Sequence, residues 1–278
     1  MSEHSYISYQ TDLLQFQQYI LEQFGLDASE SVRHLHIRSW MAGMKESGRN
    51  ERTLQRKIST LKSFFKYLMR TGLLTSNPAL QVRIPKASKR LPSYLNAEQT
   101  EKIPHQIEFP EGIEGDTERL ILEMLYQTGM RRAELVQLKE QDVEFSRNQL
   151  RVLGKRNKER MIPVADTLLL QIRAYIQEKR RLFSDTGDRL LVLASGKPLY
   201  PQYVYRVVQK HLKSITTLSK RSPHILRHTF ATQLSNNGAE LNAIKELLGH
   251  SSLAATQVYT HNNIERLKEV YRKAHPKS

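Results

Sequence analysis

Between Ser222 and His261 the sequence gathers side chains able to handle a phosphate. His224-Ile225-Leu226-Arg227-His228 is followed by Leu247-Leu248-Gly249-His250, then by Thr256-Gln257-Val258-Tyr259-Thr260-His261. His224 and Arg227 stand three apart, which puts both on one face of a helix. His250 comes just past a helix-ending glycine, and Tyr259 follows nine residues on. His228 faces nearly the same way as His224, a spacing that zinc sites use. The residues between them lack the Glu of H-E-x-x-H, however, and set a cation beside any metal. Arg227 between two histidines argues for an anion as the ligand, so no metal is expected.

Positioning these groups calls for a mainly helical frame with one small sheet. Upstream, Leu120, Ile121, Met124 and Leu125 predict a helix over 116–127 that stops at Thr128-Gly129, with Arg131 just beyond and Glu134 one turn further. Residues 150–153 and 160–164 read as short strands around Gly154-Lys155-Arg156-Asn157-Lys158, a β-hairpin with Lys155 in its turn. Helices are expected from Asn96 on and near 166–183, 200–215, 223–236, 239–248, 252–258 and 262–274. In the last of these, Ile264, Leu267, Val270 and Tyr271 recur at helical spacing and make an apolar stripe.

The first 84 residues read as a separate helical set, with helices expected at 5–24 and around 30–47, a third that Gly72 ends, and a turn leading into a short fourth helix at Asn77-Pro78. Leu54, Ile58, Leu61, Phe65 and Leu68 make the inner stripe of the third helix. Arg52, Arg56, Ser59, Ser63, Lys66 and Arg70 fall on its opposite side. Residues 85–96 carry prolines and basic side chains without any sustained period and read as a linker. The expected domains are therefore 1–84, a linker at 85–96, and 97–278.

The net charge is +15 over 278 residues, and the pI is near 9.9. The excess is spread as +4 before Lys86, +3 over 86–96 and +8 after that. Lys and Arg that neutralise phosphates release condensed counterions, so a basic chain of this kind suits nucleic acid, and two basic domains suit a clamp around a duplex. The Ser-and-Arg/Lys face of the third helix is the expected DNA-facing surface of the first domain. With no cysteine, disulfides, Cys-ligated zinc and thiol nucleophiles are excluded. No signal peptide or long apolar run is visible, so a cytoplasmic protein without a membrane partner is expected.

The combination of Arg131 after Thr128-Gly129, Lys155 in the hairpin, Ser222-Pro223-His224 with Arg227, Phe230-Ala231-Thr232, Leu247-Leu248-Gly249-His250-Ser251 and Tyr259-Thr260-His261 resembles the tyrosine recombinase (phage integrase) family, its Xer branch most closely. The resemblance spans nearly the whole chain. It implies an N-terminal four-helix, SAM-like core-binding domain and a mainly helical catalytic domain with a small antiparallel β-sheet, ending in a C-terminal exchange helix. It makes Tyr259 the nucleophile that leaves a 3′-phosphotyrosine, Arg131 and Arg227 the phosphate clamps, His224 the base, His250 a hydrogen-bond donor and Lys155 the general acid. Glu134 is a supporting residue, and no cofactor is implied. The family run Gly-Lys-Gly-x-Lys has Arg156 at its second glycine here, which leaves Lys158 as an alternative acid.

The implied partners are double-stranded DNA carrying two recombination sites and a homo- or hetero-tetramer on it, with a second Xer-like recombinase or a DNA translocase as further candidates. Resolution of chromosome or plasmid dimers through a Holliday junction is the leading role, and a mobile-element integrase or transposase is the alternative. A type IB topoisomerase and a non-catalytic DNA-binding protein are weighed beside them. The complete set of chemical groups argues against the last, since binding alone requires no tyrosine nine residues after Gly-His.

Overall fold

The computed structural model describes residues 3–27, 31–83, 94–154, 157–218, 221–249 and 261–276. The chain divides into two compact units, Met1–Arg90 and Leu91–Ser278.

In the first unit, α1 (Glu3–Phe24), α2 (His34–Glu46) and α3 (Glu51–Arg70) pack around one core. Asn50 starts α3 by accepting a hydrogen bond from the Thr53 amide at 2.9 Å. The inner stripe Leu54, Ile58, Leu61, Phe65 and Leu68 is buried as its spacing predicts, against Phe16, Ile20, Ile37 and Trp40. The short fourth helix expected after Asn77-Pro78 is a 3-10 helix, Pro78–Gln81: Asn77 caps it by accepting from the Ala79 amide, and Val82 is already extended.

Two polar residues of α3 are also buried, because α1 brings Asp12 against them. Lys57 Nζ donates to Asp12 Oδ1 at 2.8 Å, Thr60 Oγ1 donates to Oδ2 at 3.0 Å, and Arg56 bonds the same carboxylate from the rim. Lys57 also lies over the Trp40 ring, 5.3 Å from its centroid.

The second unit contains α4 (Ala97–His105), α5 (Ile113–Thr128), α6 (Arg132–Gln137), strands β1 (Val143–Glu144), β2 (Gln149–Leu153) and β3 (Glu159–Pro163), then α7 (Asp166–Leu182), α8 (Pro201–Ile215), α9 (Pro223–Asn236), α10 (Leu241–Leu248) and α11 (His261–Ala274). Helix α5 is the central post. Leu120, Ile121, Leu122, Met124, Leu125 and Tyr126 are all buried, so it is covered on every side, by α7, α8 and α9 among others.

The sheet is antiparallel in the order β1-β2-β3, with Leu150 opposite Ile162 and Val152 opposite Arg160. Leu150, Val152 and Ile162 face the core, and Arg160 shares their face. A second cluster joins Phe230 and Leu234 of α9, Ile244, Leu247 and Leu248 of α10, and Leu267, Tyr271 and Ala274 of α11. In the single chain, α11 thus lays Leu267, Val270 and Tyr271 on its own unit. The helix expected at 252–258 lies outside the described residues. Among the described residues, no helix is long and apolar enough to cross a membrane.

Asp12→Ala leaves the Lys57 ammonium buried without its counter-charge, at an expected cost of about 3–5 kcal/mol. Arg56→Ala removes a half-exposed partner of the same carboxylate and costs about 1 kcal/mol or less. Trp40 is the only tryptophan in the chain, so its fluorescence follows unfolding of the first unit in the full-length protein. Equal shifts for the two variants would contradict the buried pairing.

Candidate active site

Helix α5 ends at Gly129 (φ +59°) and α10 at Gly249 (φ +64°), two left-handed caps that only glycine adopts without strain. At Gly129 the space is closed as well, since a Cβ would meet Phe230 Cδ1 at 2.5 Å and Leu248 Cδ2 at 2.9 Å. Each helix end leaves carbonyls without intrahelical donors. Both sets are turned toward the same group of guanidinium ions.

Arg227, on the second turn of α9, bridges the two ends. Its Nη1 donates to the Gly129 carbonyl and its Nη2 to the Leu248 carbonyl, each at 2.6 Å. Arg131, in the turn after α5, donates from Nη2 to the Gly249 carbonyl at 3.2 Å. Arg160, on β3, donates from Nε to the Leu247 carbonyl at 2.8 Å. Three successive carbonyls at the end of α10 therefore each receive a different arginine, the sign of charge that a helix C-terminus favours.

Glu134 ties two of the three arginines together. It opens α6, where its Oε2 accepts the Arg131 amide at 2.7 Å, and its Oε1 accepts Arg131 Nη1 at 2.7 Å. Arg160 forks onto the same carboxylate, Nη1 to Oε1 at 3.0 Å and Nη2 to Oε2 at 2.8 Å. The side chains of Arg160 and Glu134 are 3% and 5% exposed. Burial pushes the Glu134 carboxyl upward, but the hydrogen bonds and charge of Arg160, with the two bonds from Arg131, outweigh it and hold the group below the usual carboxylate range.

One carboxylate among three guanidinium ions leaves the cluster net positive. Burial, followed by the charges of Arg131 and Arg160, pushes Arg227 down to about 10, so it stays protonated at neutral pH. His224, one helical turn before Arg227, is held below the usual imidazole range by desolvation first and then by Arg132, Arg227 and Arg131. It is neutral at pH 7 and able to accept a proton. Each guanidinium has five N–H donors, and among the described residues these contacts occupy two on Arg131 and two on Arg227, which leaves donors for an anion.

Of the residues singled out from the sequence, Arg131, Glu134, His224 and Arg227 therefore meet in one place. Lys155, His250 and Tyr259 lie outside the described residues. The Gly154 amide donates to the Lys158 carbonyl at 2.7 Å at the base of the hairpin turn, and the left-handed residue described in that turn is Asn157 (φ +59°). Lys158 itself is exposed. His228 takes no part in the cluster and sets its ring edge-on to Tyr94, centroids 6.2 Å apart. On α3 of the first unit, Arg52, Arg56, Ser59, Ser63, Lys66 and Arg70 are all exposed, and Arg56 is engaged with Asp12 and Ser8. Among the described residues, no group of three or more His, Asp or Glu side chains is gathered as a metal site would need.

Arg160 joins this site without standing among the residues singled out from the sequence, where it opens the expected strand 160–164. Its signal was the strand period: in Glu159-Arg160-Met161-Ile162, Arg160 shares the inner face with Ile162, and an arginine there requires a buried carboxylate.

The chain matches the model of the phage integrase family over residues 93–266, and that of the phage integrase N-terminal SAM-like domain over residues 1–72. Tyrosine recombinase XerC of Chlorobaculum parvum is 34% identical, over 99% of this chain and 90% of that protein. XerC of Pelobacter propionicus is 38% identical, over 100% of this chain and 91% of its own length. Among solved structures, the XerH site-specific recombinase bound to a palindromic difH substrate in a post-cleavage complex is similar with a TM-score of 0.74 and 25% identity, over 94% of this chain and 77% of that one. The fold and the relatives define a DNA cutting-and-joining enzyme. The chain belongs to the phage integrase family, that of the site-specific tyrosine recombinases.

Glu134→Ala strands Arg160 as an unpaired buried charge and should cost about 3–5 kcal/mol. Because the folded-state carboxyl lies below its unfolded value, its contribution is fully present above about pH 4 and is lost as pH falls through the folded value. Acid unfolding of the second unit, followed by circular dichroism, should therefore be shallower for Glu134→Gln than for the wild type. Identical acid limbs would mean that Glu134 carries no coupled charge.

Proposed function

We propose that the cluster at the α10 end holds the scissile phosphate of double-stranded DNA, with Tyr259 as the nucleophile. The observation that carries this reading is the pair of ionised arginines, Arg131 and Arg227, fixed beside a neutral His224 and retaining free donors. Tyrosine, with a reference pKa of about 10, is protonated at pH 7 and must lose its proton as it attacks. His224 takes that proton while the Tyr259 oxygen bonds to phosphorus. The 5′-oxygen departs with a proton from Lys155, and the DNA 3′ end stays on the enzyme as a phosphotyrosine. Negative charge on the non-bridging oxygens peaks between these states, where Arg131, Arg227 and His250 donate to it. Losing one such donor typically costs ~10²–10³ in rate. The bond energy is kept in the covalent intermediate, so attack by a 5′-hydroxyl reverses the step, and attack by the partner strand's hydroxyl exchanges strands.

Residues 1–84 serve as the core-binding domain, with Arg52, Arg56, Ser59, Ser63, Lys66 and Arg70 toward the duplex. Residues 85–96 are the basic linker and 97–278 the catalytic domain, with Glu134 holding Arg131. The DNA-bound XerH relative supports DNA as the substrate, and the Xer relatives support resolution of chromosome or plasmid dimers in the cytoplasm, in step with chromosome partition and cell division. Four protomers act on two sites through a Holliday junction, alone or with a second Xer-like recombinase, and a DNA translocase can regulate them. In that assembly α11 leaves its own unit for a neighbour's, and such a head-to-tail exchange closes as a ring.

Tyr259→Phe removes one hydroxyl, so DNA binding should persist while SDS-stable protein–DNA adducts disappear. Sequencing the DNA trapped on the wild type identifies the site. Adducts formed by the phenylalanine variant would mean that another residue attacks the phosphate.

A further inference from the structure

Arg160 makes more bonds than a buried ion pair needs in order to stabilise a fold. Its side chain carries Nη1 and Nη2 to Glu134 and Nε to the Leu247 carbonyl, so β3, α6 and the end of α10 meet on one planar group. The side chain also packs against two glycines, tightly at Gly249 and in ordinary contact at Gly154. A Cβ on Gly249 would lie 3.1 Å from Arg160 Cδ, and one on Gly154, at the hairpin neck, would lie 3.5 Å from Nη1 and 3.7 Å from Glu134 Oε1. The neck is closed there by the bond from the Gly154 amide to the Lys158 carbonyl, 2.7 Å long, and Lys155 is the next residue in the chain. An apolar side chain of similar volume can match a buried ion pair in stability. It cannot reproduce a fixed angle among three elements, and that angle sets where the hairpin stands relative to Arg131 and Arg227.

We propose that Arg160 is a positioning residue for DNA cleavage: its bonds to Glu134 and to the Leu247 carbonyl hold the hairpin neck at the distance from the arginine pair at which the hairpin lysine meets the departing 5′-oxygen. The inference rests on the cleavage chemistry proposed above. It assigns to Arg160 the placement of the lysine that delivers the leaving-group proton, and assigns it no contact with DNA.

The test uses the full-length protein and the DNA trapped on the wild type, prepared with either an ordinary phosphodiester or a 5′-phosphorothiolate at the cut, whose sulfur leaves without a proton. Arg160→Met and Arg160→Lys are compared, the second keeping a charge for Glu134 in case the first does not fold. The expected result is unchanged DNA affinity, a single-turnover rate on the ordinary substrate lower by about 10–100-fold, the scale of an ångström of misplacement, and a rate on the phosphorothiolate within about threefold of the wild type. Equal losses on the two substrates would overturn the proposal, since they would mean general damage to the site. An unchanged rate on the ordinary substrate would overturn it as well. A wild type that formed no adduct with any DNA would instead remove the cleavage reading on which it stands.

Discussion

The second unit depends on the convergence of three guanidinium groups on the carbonyls of Leu247, Leu248 and Gly249. Like charges do not gather unless something holds them, and here two things do. The C-terminal carbonyls of α5 and α10 supply dipoles of the favourable sign, and Glu134 supplies the one full negative charge. The arrangement is solved from both directions: helix ends that would otherwise bury unsatisfied carbonyls receive donors, and arginines that would otherwise repel receive acceptors. What is left over is positive charge with donors to spare, which suits a phosphate.

Much of the surrounding structure follows from keeping that convergence in register. Gly129 and Gly249 end their helices in a left-handed turn so that the last carbonyls reach the cluster, and Phe230 and Leu248 close the space beside Gly129. Helix α5, buried all round, fixes one end, while α10 is fixed by the second core that it shares with α9 and α11. The sheet contributes through one residue, Arg160, turned inward beside Ile162 and Val152. A charge-reading enzyme of this kind therefore needs a rigid apolar frame chiefly to set where helices stop.

What the sequence made legible was local and periodic. The inner stripe of α3, the end of α5 at Gly129, the hairpin and the helix carrying His224 and Arg227 all follow from spacing and glycine chemistry, within a few residues of the observed limits. The family resemblance added the grouping of Arg131, Glu134, His224 and Arg227, which distance along the chain conceals. Short elements were missed. Helix α6, with six residues, and β1, with two, are too brief to show a period and exist because tertiary neighbours complete them. The short fourth helix expected after Asn77-Pro78 is present, as a 3-10 helix that Pro78 starts and an extended Val82 ends. Arg160 escaped for a different reason: one arginine in a basic chain looks like surface until strand register turns it inward.

Protein acceptors organise the arginines before any DNA arrives. Nitrogen-detected NMR of the guanidinium groups in the DNA-free protein, with slow side-chain rotation and slow exchange of the Nη protons as the readout, tests it most directly. The expected result is slow rotation and exchange for Arg131, Arg160 and Arg227, set against fast averaging for Arg52 and Arg70 on the exposed face of α3. Fast averaging of Arg131 and Arg227 in the free protein, becoming slow only on addition of DNA, would contradict it and make the clamp a product of substrate binding.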